Sequence, residues 1–204
     1  EKWAVYASVD FGLYELDPLE GASGLESDTY ASTVGIDYIL SNNWAIGAGW
    51  SHVWNDTDLR SGLGGFEIEG NAAMTYVSYF KDNFWGDLLY SFGDYNVDIN
   101  RKTFIGSSVR AKPDLESHQA TVNLGYNIPV GDRFVHGPIF RADQSWGQLD
   151  GYTETGNARA NTIFREQDYQ SLVTSLGWQL NWTTELSNGV KLKPNFWAGY
   201  GREN

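Results

Sequence analysis

The sequence predicts an all-β fold, a membrane-spanning antiparallel up-and-down β-barrel of the bacterial outer membrane, and three observations carry that expectation. Side chains alternate apolar and polar with period two in about nine segments, as strands with one lipid face and one wet face require. Long and short connections alternate along the chain, as they do when short turns lie on one side of a membrane and longer loops on the other. Aromatic residues mark the ends of the apolar faces, where a membrane interface favours them.

The composition is consistent with this class. Nine Trp, twelve Tyr, ten Phe and 23 Gly stand beside only five Pro in 204 residues, an excess that suits many strands joined by turns. No Pro/Ser/Gly-rich linker divides the chain, so residues 1–204 are read as a single domain. The absence of Cys excludes a disulfide scaffold and thiolate metal sites. A net charge of −12 argues against nucleic acid as a partner. There is no run of eighteen apolar residues, and Glu1-Lys2-Trp3 is not a signal peptide. A mean hydropathy of −0.42 is compatible with a barrel, because half of each strand faces water.

In the first segment Trp3, Val5, Ala7, Val9 and Phe11 share one face, while Tyr6, Ser8, Asp10 and Gly12 share the other. The second sets Tyr30, Val34, Ile36, Tyr38 and Leu40 against Ala31, Thr33, Gly35 and Asp37, and the third sets Trp44, Ile46, Ala48 and Trp50 against small residues. The fourth (72–81) and fifth (84–95) read as strands without an assignable face. The sixth is unbroken: His118, Ala120, Val122, Leu124, Tyr126 and Ile128 oppose Ser117, Gln119, Thr121, Asn123, Gly125 and Asn127. The seventh sets Phe140, Ala142 and Trp146 against Arg141, Asp143, Ser145 and Gly147, with Gln144 off pattern. The eighth opposes Leu172, Thr174, Leu176, Trp178, Leu180 and Trp182 to Ser171, Val173, Ser175, Gly177, Gln179 and Asn181. The ninth sets Leu192, Phe196, Ala198 and Tyr200 against Lys193, Asn195 and Gly199. A soluble sandwich also alternates, but its core wants large interlocking residues and its outer face tolerates long charged ones. Here the polar face is rich in Gly, Ser, Thr, Asn and Gln, as a wet lumen allows.

Long connections are expected at 14–29, 55–71, 96–116 and 148–168, and shorter ones at 41–43, 81–83, 129–137 and 183–191, the last holding the turn pair Asn188-Gly189. If the first strand runs outward, every long loop is extracellular.

The run Leu124-Gly125-Tyr126-Asn127-Ile128, then Gly137-Pro138-Ile139-Phe140 and Leu149-Asp150-Gly151-Tyr152-Thr153-Glu154, resembles the autotransporter (type V secretion) β-domain family. Leu176-Gly177-Trp178, Lys193-Pro194 and Gly199-Tyr200-Gly201-Arg202-Glu203 sit where that family has its later strands. Asp94-Tyr95 followed by Asn100-Arg101-Lys102-Thr103-Phe104 is similar to the branch whose passenger is a GDSL-type esterase. The resemblance implies a translocator barrel of about twelve strands that anchors and displays a passenger. Its partners would be outer-membrane lipid, its own passenger and, during biogenesis, the barrel-assembly machinery. Against that pattern the chain is expected to lack the pore helix, the passenger and about three last strands.

No GDS block, GxSxG elbow or distal Asp-x-x-His pair is present, so no catalytic residue, cofactor or metal ligand is assigned, and the chain is read as not itself an enzyme. Ser117 and His118 fall on opposite faces and cannot form a nucleophile–base pair. His52, His118 and His136 are placed near strand ends or connections and read as interfacial polar residues. The acid pairs Asp56/Asp58 and Glu67/Glu69 read as solvated loop carboxylates, and Gly62-Leu63-Gly64-Gly65 lacks the strand-to-helix context of a phosphate loop. The functional candidates are therefore lumen-facing polar residues, Asp10, Asp37, Asn123, Arg141, Asp143 and Lys193. Val122, Leu124, Leu176, Trp178 and Phe196 are expected to face lipid.

Overall fold

In a computed structural model of the protein, residues 2–18, 23–60, 62–103, 105–157, 159–185 and 191–203 are described. All their regular structure is β. In chain order the strands are β1 (Trp3–Leu16), β2 (Leu25–Ile39), β3 (Trp44–Leu59), β4 (Gly64–Lys81), β5 (Phe84–Lys102), β6 (Ser108–Ala111), β7 (Asp114–Tyr126) and β8 (Ile128–Val130). They continue with β9 (Phe134–Leu149), β10 (Tyr152–Thr153), β11 (Ile163–Phe164), β12 (Gln167–Trp182), β13 (Thr184–Glu185), β14 (Lys191–Leu192) and β15 (Asn195–Glu203). The main sheet is an antiparallel meander in the order β1-β2-β3-β4-β5-β7-β9-β12-β15, with β6 extending beside β5 and β8 beside β9. Each long strand pairs with its neighbour in sequence, as up-and-down connectivity demands.

The register carries each face around the sheet. Leu88 lies opposite Val122, Val122 opposite Ala142, and Ala142 opposite Thr174. Leu124 lies opposite Phe140, Phe140 opposite Leu176, and Leu176 opposite Tyr200. This face is open: Val5 is 80% exposed, and Leu176 and Phe196 are each 64% exposed. On the opposite face Thr33, Ser51, Val97 and Thr121 are buried although no second layer covers them. A sheet that curls around its polar side produces that asymmetry, so the polar face is concave and the apolar face convex.

Aromatic rows bound the convex face. Trp3 packs on Tyr38 at one end (centroids 4.4 Å), and Phe11, Tyr30 and Trp54 pack in series at the other (5.2 and 5.4 Å). Trp3 to Phe11 is eight residues along β1, or about 27 Å of strand. At the usual tilt this becomes about 20 Å of membrane depth, close to the apolar band of outer-membrane barrels.

Small residues on the concave face admit aromatic rings from adjacent strands. A Cβ added to Gly35 would collide with the Tyr6 ring, one on Gly47 with Tyr76, and one on Gly125 with Trp85. The rings lie flat over the neighbouring backbone, covering surface that glycine leaves bare. The fourth and fifth segments escaped face assignment for this reason: Tyr76 and Trp85 point into the concave face while Tyr79 and Tyr90 point out of it, so neither face is purely small or polar.

The long connections differ from those the sequence suggests. Residues 55–71 are almost entirely paired, β3 and β4 running to Leu59↔Gly64, and β1 and β2 likewise extend to Leu16↔Leu25. The third long connection is shortened by β5 and β6, and the fourth holds the β10–β11 hairpin. Outside the hydrocarbon zone the backbone still pairs, but neither face need be apolar, and the period-two signal disappears. The turn pair Asn188-Gly189 lies outside the described residues. The strands β1 and β15 form the two edges of the sheet, and nine alternating strands leave them running in the same direction.

Gly47→Val is expected to destabilise the sheet by about 1–3 kcal/mol through overpacking against Tyr76. Gly12→Ala, where a Cβ would sit 3.7 Å from that of Thr29, should stay within about 0.5 kcal/mol. Urea titration in detergent micelles, followed by Trp fluorescence, measures both.

Candidate functional site

The concave wall gathers most of the predicted polar residues. In β9, Arg141 and Asp143 are two residues apart and therefore project to the same side. Arg141 donates from Nε to Asp143 Oδ2 (2.5 Å) and from Nη2 to Oδ1 (2.9 Å). Asp143 also accepts from Thr121 Oγ1 at 2.7 Å and Gln119 Nε2 at 3.4 Å, both on β7. The carboxylate thus meets one guanidinium and two neutral donors, which compensates its partial removal from water. Asn123 lies between Asp87 and Arg141 in the register, next to this network.

Asp37 and Asp10 lie elsewhere on the same face. Asp37 accepts a hydrogen bond from Tyr76 across β3, and Asp10 accepts from Ser8 Oγ at 3.2 Å. Thr33 and Ser51 share a buried hydroxyl contact of 2.7 Å, while Asn55 Nδ2 donates to Ser27 Oγ and Thr29 Oγ1. Lys193 sits between β14 and β15, outside any strand, so strand parity does not determine its direction. Val122, Leu124, Leu176, Trp178 and Phe196 all share the convex parity. Whereas Tyr6 already fell on the polar face, the inward aromatics Tyr76 and Trp85 are the wall residues that sequence reasoning missed. Their signal, a glycine directly across the ladder, needs the register to be seen.

No hydrolytic constellation forms among the candidates. Ser117 Oγ accepts from Tyr169 OH at 2.6 Å on the concave side, and His118 shares a 2.7 Å contact with Tyr90 on the convex side. His52 and His118 lie within strands rather than near their ends, both on the convex face. His52 Nδ1 contacts Asn71 Oδ1 at 3.2 Å, and His136 Nδ1 accepts from Trp178 Nε1 at 3.1 Å.

Beyond the apolar band, the rim is tied together by ion pairs. Arg60 reaches Glu15, Asp17 and Glu26, joining the β3–β4 turn to the β1–β2 hairpin. These carboxylates are mostly solvated, so the contacts orient more than they stabilise. The pair between Arg101 and Glu154 differs, since the Glu154 side chain is only 2% exposed. Arg101 Nε and Nη2 donate to its two oxygens at 2.7 and 2.6 Å, and the Thr162 amide donates at 2.9 Å. The Arg101 guanidinium holds the Glu154 carboxyl below its ordinary value. A bridge between Arg110 and Thr155 joins the β10–β11 segment to β6.

The autotransporter β-domain model matches residues 5–204. The chain belongs to the autotransporter β-domain family. The translocator domain of NalP from Neisseria meningitidis superposes on all of this β-domain with a TM-score of 0.83 at 17% identity, covering 69% of the NalP chain. The Bordetella BrkA β-domain matches all of it at 0.79 and 16% identity, covering 80% of that chain. Lipase 1 of Photorhabdus luminescens is 29% identical over 183 residues, 85% of this chain and 27% of its own. Outer membrane protein A of Rickettsia rickettsii is 22% identical over 188 residues, 86% of this chain and 8% of its own. The β-domain therefore spans about a quarter or less of these two relatives. It is an outer-membrane β-barrel domain of the autotransporter translocator type.

Replacing Glu154 by Gln should free the β10–β11 hairpin at a cost of about 2 kcal/mol, because Arg101 loses its charged acceptor. A carboxyl whose folded value is depressed contributes stability above its unfolded value and loses it as pH falls through the folded one. Protection of the Thr162 amide relative to its intrinsic exchange rate should accordingly fall in acid, below the ordinary carboxylate range, in the natural protein and show no such acid step in the variant.

Proposed function

We propose that this β-domain anchors a lipolytic passenger in the outer membrane, with its concave wall lining the translocation route. The observation that carries the passenger assignment is the 29% identity to Lipase 1 across 85% of the chain. The remainder of that relative, outside the matched 27%, leaves room for an enzyme. The chemistry of the present residues supports the same division, since Ser117 and His118 are engaged separately on opposite faces.

In this reading the convex face meets lipid. Val122, Leu124, Leu176, Trp178 and Phe196 lie in its apolar zone, and the hairpins beyond the Phe11–Tyr30–Trp54 row face the exterior. The concave residues Asp10, Asp37, Asn123, Arg141 and Asp143, joined by Lys193, would contact water, a pore helix or a passing chain. The bound pair Arg141–Asp143 keeps the wall polar while neutralising two of its charges, which favours slippage of a polypeptide over capture. The edges β1 and β15 would be completed by further strands of the same family pattern. An edge bare in hydrocarbon leaves amides and carbonyls unpaired at several kcal/mol each. The barrel-assembly machinery is the natural partner of those edges during insertion.

Two measurements test this function. Cells displaying the full-length polypeptide should hydrolyse a chromogenic short-chain ester, whereas the isolated β-domain should not. Turnover by the isolated domain that vanishes on Ser117→Ala or His118→Ala would overturn the assignment. Leu176→Arg should cost about 2–4 kcal/mol in vesicle folding titrations, and Asn123→Arg far less. Equal tolerance of both would remove the lipid-facing reading.

A further inference from the structure

Near the rim end of the convex face, three strands form a groove with an aromatic floor. Its volume is about 420 Å³, and Glu116 and His118 of β7, Trp146 and Gln148 of β9, and Asp168 and Gln170 of β12 supply its outward side chains. The register explains the grouping. His118, Trp146 and Gln170 form one cross-strand row, and Glu116, Gln148 and Asp168 form the next row toward the rim.

The aromatic floor is fixed. The His118 and Trp146 rings stack with centroids 5.4 Å apart and planes within 6°. Tyr90 shares a 2.7 Å contact with His118 Nδ1, and Phe92 packs on the same imidazole at 5.1 Å, so the platform is held from a third strand. Above it stand two carboxylates and two carboxamides, none of which hydrogen-bonds through its side chain to another described residue. Adjacent strands are about 4.8 Å apart, so Glu116 and Asp168 are separated by about 10 Å, with Gln148 between them.

We infer that this groove seats a pyranose ring of an outer-leaflet glycolipid. The inference rests on the reading that the convex face meets lipid and the rim faces outward. One face of a sugar ring carries C–H groups, which suit an apolar aromatic platform, and its edge carries hydroxyls, which suit a line of donors and acceptors. Carboxylates accept from hydroxyls, and carboxamides both donate and accept. The two acids disfavour a phosphate or carboxylate on the ring surface that enters, so the seated ring is neutral or bears an amine there. A lone ammonium head group would gather the carboxylates to one point, but here they flank the platform on separate strands. An acyl chain would use the floor and leave the polar row unpaired.

The test uses the full-length polypeptide in native outer membranes, with a photoreactive benzophenone amino acid in place of Gln170 and, in a second preparation, in place of Leu176. After irradiation, mass spectrometry identifies the attached lipid. A sugar-bearing adduct at position 170, and lipid adducts without sugar contact at position 176, are expected. Trp146→Ala should lower the glycolipid adduct roughly tenfold, the equivalent of about 1.4 kcal/mol. Gln148→Leu, which spares the platform, should lower it several-fold and guards against misfolding of the first variant. Phospholipid or no lipid at position 170, or a glycolipid adduct insensitive to both substitutions, overturns the inference. If position 176 captures no lipid either, the lipid-facing reading fails with it.

Discussion

Everything in this structure depends on the unbroken antiparallel ladder. Hydrocarbon offers no hydrogen bonds, so each backbone amide and carbonyl at membrane depth must find its partner on a neighbouring strand. The pairing from β1 to β15 meets that demand at every internal boundary and sets all else by geometry. Once Leu124, Phe140, Leu176 and Tyr200 are opposite one another, their intervening neighbours are committed to the other face. The apolar belt and the polar wall are therefore one decision seen from two sides.

On the polar wall, two carboxylates are matched by donors from neighbouring residues. Asp143 is matched by Arg141 and two neutral donors, and Asp37 by the Tyr76 hydroxyl. Glycine completes the arrangement by giving aromatic rings room to lie flat, so the inner surface is filled by large side chains without a conventional core. Only Val97, Val109 and Ala111 are buried hydrophobic residues among those described. The stability of such a sheet comes from the ladder and the aromatic cover.

Much of the fold was legible because alternation is strongest where the two faces of a strand differ most in their surroundings. The segments around Val122 and Leu176 declared their faces without ambiguity, and the family motifs spanned nearly the whole chain. The rim was not legible. Asn55, Asp56 and Thr57 are polar on both faces, so their strand carries no period and reads as loop although Asp56 pairs with Asp28 and Glu67. The glycine–aromatic pairs were hidden because Gly47 and Tyr76 lie 29 positions apart and meet only through the register. Arg101 and Glu154, 53 residues apart, met for the same reason. Within the wall, Arg141 and Asp143 were found because two residues on one strand face the same way, whereas their partners on β7 were visible only as members of a polar face.

The extension of hairpins beyond the apolar band bears on how the protein survives outside the cell. Chain held in a ladder is a poor protease substrate, since cleavage requires an exposed, adaptable backbone. Between β3 and β4 the pairing runs out to Leu59 opposite Gly64, and the Arg60 amide beyond it is itself bonded to the Gly24 carbonyl. On the far side, the β10–β11 segment is sewn to β6 by reciprocal amide bonds between Arg110 and Thr155. Among the described residues, a rim built this way holds paired backbone where pliable loop would invite cleavage, so digestion from outside would leave the wall intact.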